Sequence, residues 1–162
     1  MPVARFVLEF FVAAPPEQVF DLARDLDFHQ RSLAHTGEKI VGGRNGGLIE
    51  LGEEVEWQAR HLGWRWRLRS RITVLERPHR FTDIQVHGPF ASFEHRHTFE
   101  PVEGGTRMVD EWEHRAPLGP LGWLADHLFL ARHMKRLLEI RNLALKQEAE
   151  RTFPMSMADT PR

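Results

Sequence analysis

The chain has 162 residues, enough for one domain to bury a core without metal or disulfide staples. Its 22 Lys and Arg nearly balance 23 Asp and Glu, which argues against a dedicated nucleic-acid binder. The absence of cysteine excludes disulfide scaffolds, thiolate metal sites, iron–sulfur clusters and thiol nucleophiles.

Val3 to Val12, rich in β-branched and aromatic residues, predicts a strand. It carries Arg5 and Glu9 and does not read as a signal peptide, and no apolar run is long enough to span a bilayer; a cytoplasmic chain without integral membrane association is expected. Ala13-Ala14-Pro15-Pro16 breaks the strand, and Glu17 to Arg24 reads as a short helix with Val19, Phe20 and Ala23 on one face. Asp25 to His35 predicts a second short helix or turn.

From Gly37 to Ala116 the pattern is strands and turns. Asn45-Gly46, inside Gly42 to Gly47, signals a hairpin; the loop lacks the lysine and following helix of a phosphate loop, so it reads as a mobile hairpin near a cavity mouth. Leu51 to Arg60 alternates, as does Trp64 to Leu75, where Trp64, Trp66, Leu68, Ser70, Ile72 and Val74 share a face opposite Arg65, Arg67, Arg69 and Arg71. The arginine stripe reads as a solvated face whose cross-strand partners are Glu54 and Glu56. Arg80 to His87, Ser92 to Glu100 and Thr106 to Arg115 predict three further strands, separated by turns at Gly88-Pro89 and Glu103-Gly104-Gly105. Leu121 to about Glu150 predicts one long helix. Its apolar side is Leu121, Leu124, Leu128, Ala131, Met134, Leu138 and Leu145; its polar side is Arg132, Lys135, Arg136, Glu139, Asn142 and Lys146. Residues 1–151 are expected to form the domain and residues 152–162 a flexible tail.

One antiparallel sheet with a single long helix to cover it makes an α+β domain. The element order, with Gly88-Pro89-Phe90, His95-Arg96-His97-Thr98-Phe99, Gly104-Gly105-Thr106 with Asp110, and Ala116-Pro117-Leu118-Gly119, resembles the helix-grip fold of the START-like (SRPBCC) superfamily of polyketide cyclases, lipid-transfer domains and coenzyme-Q-binding proteins. At His114 the family pattern carries tyrosine instead. The resemblance implies a curved sheet around the long helix, enclosing a cavity for an apolar or amphipathic small molecule such as a lipid, quinone or polyketide-like compound. It implies no catalytic set, because the superfamily hosts carriers, sensors and enzymes. A carrier or sensor is the first reading; a cyclase or dehydratase using His97 and Asp110, with His95, for acid–base work is the second.

The turn at Gly104-Gly105 can pair Phe99 with Met108, His97 with Asp110, His95 with Trp112 and Phe93 with His114, all on one face. For the strand before, one register sets Asp83 beside His95 and Gln85 beside Phe93; a one-residue slip turns Ile84 and Val86 inward instead, and the sequence leaves both open. The expected ligand-binding residues are Trp57, Trp66, Leu68, Asp83, Gln85, Phe93, His95, His97, Asp110, Trp112 and Leu128. Trp57, Trp64, Trp66 and Trp112 fall on predicted inner faces, with Trp123 near the helix start, and such rings can fill the cavity outright. His95 and His97 with His114 or Asp110 have the residue types of a zinc or iron site. Chance His-x-His is common among ten histidines, so no metal and no cofactor is expected.

Overall fold

A computed structural model describes residues 3–117, 119–125 and 129–154, with the side chain of Trp123 left undescribed. Seven strands of the described residues are β1 (Val3–Val12), β2 (Lys39–Gly43), β3 (Glu54–His61), β4 (Trp64–Glu76), β5 (Arg80–His87), β6 (Ser92–Val102) and β7 (Gly105–Arg115). They form one antiparallel sheet in the order β1-β7-β6-β5-β4-β3-β2. Register shifts at Arg69/Ser70 and Ile72/Val74 interrupt the β4–β5 ladder, and such bulges bend and twist a sheet.

The chain crosses from edge strand β1 to edge strand β2 through two short helices, α1 (Pro16–Ala23) and α2 (Leu26–Ser32), and a 3₁₀ turn at Ala34–Thr36. Pro16 opens α1, where a missing amide hydrogen costs nothing, and Val19, Phe20 and Ala23 bury its inner face. Asp25 caps α2 by accepting from the amides of Asp27 and Phe28 at 2.9 and 3.1 Å.

The glycine-rich segment differs from the expected hairpin. Gly43 pairs with Val55, so ten residues separate β2 from β3 rather than two. The loop is anchored on α2: the Gly47 amide donates to Asp27 Oδ2 at 3.0 Å, and the Leu26 amide to the Gly47 carbonyl at 3.0 Å. A Cβ on Gly46 would lie 2.9 Å from Asp27 Oδ1, so a side chain there would displace the carboxylate that anchors the loop.

The expected long helix also differs. Its described residues form α3 (Gly119–Ala125) and α4 (Ala131–Thr152), and Phe129 and Leu130 have the wider π winding. Met134, Leu137, Leu138, Leu145 and Ala149 of α4 are buried, whereas Leu121 and Leu124 of α3 are 79% and 49% exposed. Leu128 lies outside the described residues. α4 packs across β1, α1 and α2. Phe153, expected in the tail, packs against the core, and residues 155–162 are outside the described part.

The result is a helix-grip α+β fold with two apolar clusters. One joins Val12, Phe20, Phe81, Phe99, Met108 and Leu145; the other joins Leu8, Phe93, Trp112, Met134 and Leu138. Among the described helices none is long and apolar enough to cross a membrane.

Candidate functional site

Alternation puts Phe93, His95, His97 and Phe99 on the inner face of β6 and Met108, Asp110, Trp112 and His114 on that of β7. Gly104, with φ of 77°, makes the tight turn between the strands. The resulting register pairs Phe99 with Met108, His97 with Asp110, His95 with Trp112 and Phe93 with His114. Of the two registers open for β5, the structure takes the one that sets Asp83 opposite His95. The polar residues thus form a band between the two apolar clusters.

Two carboxylates hold this band together. His97 Nδ1 lies 2.8 Å from Asp110 Oδ1, and its Nε2 lies 3.5 Å from Asp83 Oδ1. His95 Nδ1 lies 4.0 Å from Asp83 Oδ1, and its Nε2 lies 3.6 Å from Asp110 Oδ2 without a hydrogen-bond partner. The helix completes the band. Asn142 Nδ2 donates to Asp110 Oδ2 at 2.6 Å, Arg141 Nη1 donates to Asn142 Oδ1 at 3.2 Å, and Arg141 Nη2 donates to the Ala23 carbonyl at 2.6 Å.

Burial acts first on every group in the band. It lowers His95, with His97 adding to the effect. For His97 burial is outweighed by the charge of Asp110 and by hydrogen bonds to both carboxylates, so its basicity rises. Burial acts to raise Asp110, but the charge on His97 and the polar contacts of both imidazoles hold it well below the ordinary carboxylate value. Asp83 is lowered likewise, its burial outweighed by His97 and His95. The band therefore sets two carboxylates around two imidazoles, of which His97 is the more basic.

Against the band lies a cavity of about 140 Å³ between the sheet, α2 and α4. Trp57, Trp66, Leu68, Phe93 and Trp112 supply apolar wall, and Asp83, His95 and His97 supply its polar part. Asp110 is fully buried behind the imidazoles and does not line the cavity. Gln85 does not line it either. Its side chain donates to the Phe90 carbonyl at 2.8 Å and accepts from the Phe90 amide at 3.2 Å, closing the β5–β6 loop.

The tryptophans leave the cavity open. Trp112 Nε1 donates to His114 Nδ1 at 2.7 Å, which satisfies the indole, and Trp57 packs against His29 with ring centroids 4.4 Å apart and the planes tilted by 30°. Trp64, expected inside, is 75% exposed at the β3–β4 turn, where it pairs with His61.

Several site residues escape a pattern-based reading. Asn142, assigned to the polar side of the helix, is 0% exposed, and Arg141 is 2% exposed and lines the cavity. Both follow Leu138 by three or four residues and precede Leu145 by four or three, so the helical phase itself places them inward. A second polar group lies at the opposite end of the wall. His29 Nε2 is 2.9 Å from Glu38 Oε1, and His133 Nε2 is 3.2 Å from His61 Nδ1. Burial lowers both His61 and His133, reinforced by His133 beside His61 and by His35.

A sequence-family model described as "Polyketide cyclase / dehydrase and lipid transport" matches residues 3–150. Among curated proteins no sequence matches. Three solved structures are similar in fold. The ZhuI aromatase/cyclase from Streptomyces sp. R1128 has a TM-score of 0.74 at 17% identity, covering 99% of this chain and 100% of that one. TTHA0849 from Thermus thermophilus has a TM-score of 0.72 at 24% identity, covering 91% and 97%. Major latex-like protein 151 from Panax ginseng has a TM-score of 0.60 at 13% identity, covering 91% and 97%.

Proposed function

The chain belongs to the polyketide cyclase / dehydrase and lipid transport family, and we propose that its cavity binds an apolar or amphipathic small molecule, as a carrier or sensor. The observation that carries this reading is a largely aromatic and aliphatic wall that includes a buried polar cluster of Asp83, His95, His97 and Arg141. Such a wall suits a ligand with an apolar body and a polar group that meets this cluster. A void of about 150 Å³ suffices for a benzene-sized ring, so the volume here favours a compact ring system, or the leading end of a longer chain such as a lipid, quinone or polyketide-like compound.

Native mass spectrometry of protein purified without detergent tests the proposal. A reproducible bound organic mass supports it; bare protein from several expression hosts, with no shift on adding quinone, fatty-acid or aromatic polyketide probes, overturns it. The identified probe is then titrated into His97→Ala. One lost hydrogen bond to the ligand weakens binding by about 0.5–3 kcal/mol, depending on charge. Chemical conversion of the bound molecule during incubation would move the reading to a cyclase or dehydratase.

A further inference from the structure

We propose that Asp83, His95 and His97 form a binding site for one divalent first-row transition metal, of which zinc is the probe of choice. One ligand atom from each of the three lies within 4.8 Å of the other two. A tetrahedral zinc with bonds of about 2.0–2.2 Å holds its donors roughly 3.3 Å apart. His97 Nε2 and His95 Nδ1 stand 3.5 and 4.0 Å from Asp83 Oδ1, so small side-chain rotations close the site.

The groups behind the site fit a metal as well. A ligating histidine turns its other ring nitrogen to a carboxylate or carbonyl, which fixes the tautomer and aims the ligating lone pair. His97 Nδ1 does this with Asp110 Oδ1 at 2.8 Å, leaving Nε2 for the metal. His95 Nε2 is buried without a hydrogen-bond partner and faces Asp110 Oδ2 at 3.6 Å, close enough for the same role once the ring turns slightly. Asp110 thus stands behind both imidazoles, and Asn142 holds its second oxygen at 2.6 Å.

The placement differs from the reading of the sequence, which took Asp110 or His114 as the third ligand. The register of β5 brings Asp83 to the cavity side, while Asp110 is fully buried on the other side of the rings. Two carboxylates and two imidazoles supply the donors, and the Arg141 guanidinium, 3.9 Å from Asp110 Oδ2, offsets one of the two negative charges. Three protein ligands leave a coordination position open, and all three residues line the cavity. A metal there meets the polar end of a bound molecule and can polarise its oxygen. The proposal goes beyond ligand binding by an apolar wall and fails independently of it, because its test uses metal alone.

The full chain is titrated with Co²⁺ and its visible absorption followed, then Zn²⁺ is added to displace the cobalt. The expected result is saturation at one equivalent and loss of the band with one equivalent of zinc. His95→Gln and Asp83→Asn abolish the band, and Asp110→Asn weakens zinc binding roughly 10–100-fold, as loss of an outer hydrogen bond to a ligand does. His133→Gln, which breaks the separate His61–His133 contact, leaves the affinity unchanged. Asp83 is the most exposed of the three, its side chain at 17%, so its near-isosteric amide variant perturbs the fold least and decides the matter should the histidine variants misfold. No band at saturating Co²⁺, or a band that survives Asp83→Asn or is lost in His133→Gln, overturns the proposal.

Discussion

On the outer face of β3 and β4, Arg69 and Arg71 meet Glu54, and Arg67 approaches Glu56 at 3.7 Å, with the arginines 40–62% exposed. On the inner face of β5 to β7, Asp83, His95, His97 and Asp110 meet one another under α4. Both are cross-strand arrays of opposite charge, yet their physics differs. Water and salt screen the outer array, so each pair adds little and the loss of one partner is absorbed by solvent. The inner array has lost its hydration, and every group in it depends on its neighbours for compensation. An array of that kind is costly to assemble from stability considerations alone, which is why the cavity beside it, rather than the arginine stripe, directs the functional reading.

The contrast can be broken from its buried side first. Asp110→Ala should destabilise the protein by about 3–5 kcal/mol in denaturant unfolding, because it strands the His97 imidazole and the Asn142 amide in the interior without their carboxylate. A loss no larger than that of a surface variant would mean that the band is hydrated in solution. Asn142→Ala removes one hydrogen bond to the same carboxylate and should cost about 1.5–3 kcal/mol by the same measurement.

An intermediate case sharpens the comparison. Asp21 on α1 is gripped by Arg77 at 2.7 Å and by Arg24 at 3.0 Å, and the hydrogen bonds from Arg77 and then Arg24 hold its carboxyl below 3.8 against the opposing effect of burial. A carboxylate with a depressed folded value contributes stability above its unfolded value and loses it as the pH falls through the folded one. Wild type should therefore exceed Asp21→Asn by about 0.2–1 kcal/mol near neutrality, with the gap closing below pH 3.8. A gap that widens on acidification would reverse the assigned sign. The smallest effect belongs to Glu54→Gln on the outer face. Its unfolding midpoint should lie closest to wild type, and the residual difference should vanish at high salt.

Much of the architecture was legible because it rests on local rules. Alternation with turn residues located β4 to β7 within two residues of their observed ends, and the Glu103-Gly104-Gly105 turn was enough to align His97 with Asp110. Errors gathered where a local rule needs a distant fact. Trp64 alternates in phase with Trp66, but phase carries no information on what packs over each residue, and Trp64 stays exposed at the β3–β4 turn. Leu121 and Leu124 fit an uninterrupted helical stripe, but they belong to α3, a separate element from α4, and are exposed there. Asn45-Gly46 has the chemistry of a tight turn, but Asp27 on another element recruits the loop.

The sequence by itself determined the class of fold, the wet and dry faces of the sheet and the β6–β7 polar pairs, since periodicity and a short turn act within a few residues of chain. Tertiary structure decided the rest of the site: which register β5 took, that Asp83 faces the cavity while Asp110 lies behind, and that Arg141 and Asn142 point inward to complete the band. The reason is one of range. A one-residue slip of β5 satisfies local alternation about as well, and an asparagine on a helix is ordinarily a surface residue. Only the packing of α4 over the sheet brings Asn142 and Arg141 to the second oxygen of Asp110, which His97 leaves without a hydrogen bond.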